Sequence, residues 1–227
     1  MRKIPAFSLM FVFVMAFAAA AQFGGKAQQG PNFYADFKPV VGGWAEYRMT
    51  PQKEAPTRMK VAIVGKEGPA YWYETQLNAG GNIVTKVLVS GDPKDQKNVK
   101  RMIMKQGSEP AMEMPVMSRT GSVKTQQPEG KVIDKGMEKI TVPAGTFTAR
   151  HVRYQQGKDV VDTWVSDKVS PYGMVKTKSK DMEMVLLGYG SGAKSLISEK
   201  PRKFQMPKMP QGMPKGMMPG MNLPDQE

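Results

Sequence analysis

The chain has no cysteine and one histidine, His151, in 227 residues. Without cysteine there are no disulfides and no thiolate zinc sites, so the fold must be held by its core alone. A lone imidazole builds neither a zinc centre nor a nucleophilic triad. His151 falls mid-strand on the same face as Phe147 and Ala149 and is read as a structural or surface residue. The remaining acid–base option is a carboxylate pair such as Asp162 with Glu183, on strands expected to be neighbours. Nothing beyond their presence points to catalysis. The expectation is a protein that is not an enzyme and needs no cofactor.

Beyond residue 21 there is no apolar run near the roughly 20 residues that cross a bilayer. The one apolar run lies at the start, from Ala6 to Ala21 behind Arg2 and Lys3, and closes in Ala18-Ala19-Ala20-Ala21-Gln22. Positive start, apolar centre and small-residue end are the plan of a secretory signal peptide over residues 1–21. Cleavage is expected before Ala21, Gln22 or Phe23, giving a periplasmic or secreted protein with no transmembrane span after processing. No cysteine follows the run, which excludes a lipid-bearing N-terminal cysteine.

Acidic residues are also scarce, 20 against 33 lysines and arginines, for a net charge of +13. Losing Arg2 and Lys3 leaves 31 basic against 20 acidic, a balance of +11. Such a charge favours anionic partners, which outside the cytoplasm means an envelope surface of phospholipid head groups, lipopolysaccharide or other polyanions. The basic residues are scattered and no nucleic-acid module is recognisable, so no nucleic acid is expected.

What the chain does contain is strand periodicity. After a small, polar leader (Gln22–Gln29), Phe33, Tyr34, Phe37 and Val40-Val41 predict one amphipathic helical turn before Gly42-Gly43. Met59, Val61 and Ile63 then alternate with Lys60, Ala62 and Val64. Tyr71, Tyr73 and Leu77 share one face of the next strand, and Trp72, Glu74 and Gln76 the other. With Ile83 to Val89 and the turns at Gly65–Gly68 and Asn78–Asn82, this is an antiparallel meander. Asp92-Pro93 predicts a helix to about Gln106, although Met102 and Met104 also alternate as in a strand. Residues 109–128 are expected to form an irregular crossing.

A second strand-rich half begins near Val132, with a hairpin at Pro143-Ala144-Gly145 and strands around Trp164, Gly173 to Lys178 and Met182 to Tyr189. The total is eight or nine strands. The predicted class is mainly β, a curved antiparallel sheet or half-open barrel with one or two short helices. Its domain occupies residues 32–198, followed by a Met/Pro/Gly-rich disordered tail over 199–227.

The run Thr141-Val142-Pro143-Ala144-Gly145-Thr146-Phe147, with Thr163-Trp164-Val165-Ser166 and Pro171-Tyr172-Gly173-Met174-Val175-Lys176, resembles a pattern in exported Gram-negative proteins. Those families are similar to the periplasmic lipoprotein carrier LolA and its relatives. The resemblance implies a half-open barrel cupped around a hydrophobic cavity under helices. The long N-terminal helix of the carriers has no counterpart here, and no functional residue carries across.

Three binding modes follow. Trp44, Tyr71, Tyr73, Trp72 and Trp164 are expected to line the concave face and take an apolar ligand, a lipid or a lipidated molecule. Thioethers are soft ligands that favour Cu(I), and the same softness suits Ag(I), which makes Met206, Met209, Met213, Met217, Met218 and Met221 of the tail an alternative metal site. A sheet edge offers a third, as an envelope adaptor for a partner protein.

Overall fold

Alternating side chains become a folded sheet only when each strand finds a partner, and among the described residues twelve strands do so in one open sheet. The computed structural model describes residues 36–78, 81–116 and 130–204. The signal peptide, the leader, Phe33 and Tyr34, part of the 109–128 crossing and all six tail methionines named above lie outside the described residues.

The first meander comprises β1 (Trp44–Pro51), β2 (Thr57–Glu67), β3 (Ala70–Asn78), β4 (Asn82–Val89), β5 (Val99–Gln106) and β6 (Met112–Met114). The second comprises β7 (Lys131–Val142), β8 (Gly145–Gln156), β9 (Asp159–Val165), β10 (Met174–Lys178) and β11 (Met182–Gly190), and β12 (Arg202–Lys203) closes the order. Along the sheet the strands run β12-β6-β5-β4-β3-β2-β1-β11-β10-β9-β8-β7. The two meanders are therefore stitched through β1 and β11, antiparallel from Trp44↔Gly190 to Pro51↔Met182. The β12–β6 pair is parallel.

The expected helix after Asp92-Pro93 is instead a 3-10 turn, Gln96–Asn98, followed by strand β5. Asp92 and Asp95 do act as caps, accepting from the Lys94 and Lys97 amides at 2.9 and 3.1 Å. Pairing with β4 then wins, because it satisfies the free edge of β4 and sends Met102 and Met104 to one face and Arg101, Ile103 and Lys105 to the other. The helical turn expected at 33–41 is likewise not formed over residues 36–40, which carry no regular structure. The crossing at 109–128 contributes strand β6, and Arg202 and Lys203, within the span expected as tail, form β12.

The sheet curls. β7 lies four places from β11, yet the Ala144 amide reaches the Leu186 carbonyl at 3.3 Å and the Phe147 ring packs 5.5 Å from that of Tyr189. The face within the curl carries the main core, built on Ala45, Tyr47, Val61, Ile63, Tyr73, Val87, Val89 and Leu186. Two loops fill it: Phe37, Tyr73 and Tyr172 pack as a triad with centroids 5.4 to 6.3 Å apart. The Tyr47 hydroxyl donates to the Met174 carbonyl at 3.1 Å, and that of Tyr172 to Asp92 at 2.9 Å. Burial pushes Tyr73 up to about 12 and holds Tyr47 higher still, so these hydroxyls stay protonated donors.

Candidate functional site

Register decides which of the predicted aromatics meet. One rung across the sheet reads Trp44, Ala62, Glu74, Lys86, Ile103, Glu113. Trp72 stands two residues before Glu74 and shares its face. Trp44 and Trp72 are thus on the outer face, whereas Trp164, opposite His151 on β8, packs against the main core. Tyr71 and Tyr73 are on the inner face, packed in or against the main core. The five residues expected to line one cup are divided between two sides of the sheet, and the inner side is filled by Phe37 and Tyr172.

Each tryptophan carries a cation. The Lys60 ammonium sits 4.5 Å from the Trp44 ring, Lys86 and Arg101 lie 5.0 and 5.3 Å from Trp72, and Lys176 lies 5.9 Å from Trp164. The ring quadrupole attracts a cation over its face, which holds these side chains in place. Arg101 is also bound to Glu113 at 2.8 Å and Lys176 to Glu183 at 2.8 Å, and both pairs hold their carboxyls below the usual range. Trp44 lies flat across β11, where a Cβ on Gly190 would come within 3.1 Å of the indole nitrogen. A glycine there is what makes the seat.

A strap crosses this outer face. After β11, the Trp44 indole N–H donates to the Ser191 carbonyl (3.3 Å) and the Ala193 amide to that of Gly42 (2.9 Å). The Ser195 hydroxyl and the Leu196 amide both donate to Glu74, at 2.6 and 3.0 Å. Glu74 is 4% exposed, so these bonds satisfy a carboxylate that would otherwise be costly to bury. Ile197 then enters a second core with Val84, Ile103 and Ala111 against Trp72, and Lys105 pairs with Glu199 at 2.5 Å. Between strap and sheet, Lys60, Ala62, Glu74, Gln76, Ala193, Lys194 and Leu196 line a cavity of about 40 Å³, room for a water or two. Leu196, which lines it, is exposed.

The predicted polar residues meet on the second meander. His151 stacks on Trp164 at 4.4 Å, with Nε2 2.7 Å from Asp162 and Nδ1 3.3 Å from Glu138. Arg153 grips Asp162 with two bonds of 2.8 and 3.0 Å, and the Trp164 indole donates to Glu138. Burial alone would raise the Asp162 pKa, but the bonds from Arg153 and His151 outweigh it and hold the carboxyl below its usual range. Asp162 and Glu183 each have a basic partner of their own. Among the described residues no three of His, Cys, Asp and Glu are grouped to hold a metal.

Sequence reasoning missed Lys60, Lys86, Arg101 and Lys176, since only cross-strand register sets a lysine over a particular ring. Glu74 carried a signal, being a carboxylate between Trp72 and Gln76 in an apolar strand. Its partner, 121 residues away, did not.

No protein-family model and no curated protein matches the chain. Among solved structures it is similar to a protein from Bacteroides fragilis described as exported with a YmcC-like fold (12% identity, TM-score 0.36, 69% of this chain and 100% of that one). It is also similar to MucB, solved in complex with the MucA(peri) segment (6%, 0.41, 67% and 51%). A third is a protein from Parabacteroides distasonis described as a lipoprotein (14%, 0.35, 69% and 99%). At these scores the likenesses carry no argument about ligand or activity, and the likeness to lipoprotein carriers rests on the sequence motifs alone.

Proposed function

We propose that this chain is an exported, non-catalytic binding protein that engages an anionic lipid surface of the envelope through its outer face. The observation that carries this is the placing of Trp44 and Trp72 on one face, each beneath a cation, beside the exposed Leu196 of the strap. Tryptophan suits the boundary between head group and acyl chain, and lysine the phosphate. The net positive charge acts in the same direction. No helix among the described residues is long and apolar enough to cross a membrane.

The test is flotation of the protein with phosphatidylglycerol and with phosphatidylcholine vesicles at two salt concentrations. Binding is expected to the anionic vesicles only and to weaken with salt. The Lys60→Gln and Lys86→Gln substitutions should each lower partitioning about fivefold, from about 1 kcal/mol per surface lysine. Equal partitioning into neutral vesicles, or none into either, overturns the proposal.

A second reading keeps an apolar or lipid ligand on the inner face. What favours it is that the cover, residues 36–43 and 166–173, is made of loops, joined to each other by the Lys38 amide to the Pro171 carbonyl (2.9 Å) and the Lys38–Asp167 ion pair (2.8 Å). Saturable uptake of an apolar dye, strengthened by Phe37→Ala, would support it; no uptake by either form would sink it.

A further inference from the structure

Twenty methionines are spread along the chain, and the register of one hairpin gathers four of them. In the β5–β6 pair Met102 stands opposite Met114 and Met104 opposite Met112. Residues two apart on a strand, and residues directly opposite in an antiparallel pair, project to the same face. The four thioether side chains therefore stand on one face at the corners of a rectangle about 5 Å across and about 7 Å along the strand. Each side chain has three rotatable bonds, enough for the four sulfurs to converge above its centre.

The surroundings suit a soft ion. On β4 the next residues along these rungs are Val87 and Thr85, both buried. The nearby charged residues of the hairpin, Arg101, Lys105 and Glu113, alternate to the opposite face. Met102, Met104 and Met114 are half-buried while Met112 is 36% exposed, so the floor is apolar and the mouth open. Arg202, beside Met112 on β12, is exposed to water. Four neutral sulfur donors with no carboxylate among them offer nothing to a hard cation such as Mg(II) or Ca(II). They match a soft monovalent ion, which they can bind without deprotonation.

We propose that Met102, Met104, Met112 and Met114 form a thioether site for a soft monovalent metal ion, Cu(I) or Ag(I). The site goes beyond the lipid-surface reading and stands on the face of the sheet opposite to it. It is also independent of the tail methionines.

The experiment titrates Ag(I), which needs no reductant, into the exported chain labelled at its methionine methyl groups. In parallel it measures affinity in competition with a thioether chelator. Two full-length variants accompany it: one with Met102, Met104, Met112 and Met114 changed to leucine, the other with Met206, Met209, Met213, Met217, Met218 and Met221 so changed. Methionine-to-leucine replacement nearly conserves volume, and circular dichroism checks the fold. The first equivalent is expected to shift the methyl signals of the four sheet methionines, the first variant to lose at least tenfold in affinity for it, and the second to keep it. First-equivalent shifts confined to the tail methyls, or undiminished affinity in the first variant, overturn the site. Should the first variant not fold, the methyl shifts of the unaltered chain decide.

Discussion

Asp162 shows how a single carboxylate can organise a patch of sheet. It accepts from Arg153 twice and lies 2.7 Å from His151, which is itself stacked on Trp164. Its folded pKa lies below the unfolded value, so its contribution is present above the unfolded pKa near 4 and is lost as pH falls through the folded one. Asp162→Asn should therefore cost about 1–3 kcal/mol at pH 7. Against the unaltered chain, that difference should shrink as acid protonates Asp162. Thermal midpoints of both proteins from pH 7 to pH 2.5 measure this, and a constant gap across the range would refute the pairing as its source.

At the scale of elements the strap and the edge strand β7 behave differently. The strap, residues 191–204, has only two residues in a strand and is held by Glu74, Ile197 and backbone bonds from Arg202 to Ala111 and Phe204 to Glu113. Glu74→Ala leaves the Leu196 amide without its acceptor and the Ser195 hydroxyl with only the Ile197 carbonyl, and should destabilise the chain by about 1–3 kcal/mol. Amide exchange in 191–204 should accelerate more than in β3 itself, and unchanged exchange there would mean that Glu74 is not the latch. β7 offers the long free edge an adaptor would use, yet it is guarded. A bulge falls between Asp134 and Gly136, where φ is +85°, and Lys131, Lys135 and Lys139 lie along it. Such devices discourage edge-to-edge pairing. Self-pairing centred on Gly136 would also set Asp134 opposite Glu138.

Across the whole molecule, the two meanders share one core because β1 and β11 are neighbours. Leu186 is fully buried opposite Tyr47, where residues of both halves meet. Leu186→Ala should cost about 2–5 kcal/mol. Unfolding should remain a single transition, with the emission of Trp44-only and Trp164-only proteins changing together. Two separated transitions would show that the halves fold independently.

The alternation of β2, β3 and β4, the turn at Pro143-Ala144, and the opposition of Trp72 to Tyr71 and Tyr73 were all legible in the sequence. Period-two patterning and turn chemistry are local, acting over a few residues. Mainly-β character and an open curved sheet followed from them. The tertiary structure alone decided that residues 99–106 extend as a strand, since the free edge of β4 outbid a capped helical start. It also decided that Trp44 and Trp72 share the outer face, that Glu74 meets Ser195, and that four methionines stand together. Each of these depends on register between strands distant in sequence or on a crossing segment. Register is set by the joint burial of both faces, which no single stretch of sequence contains.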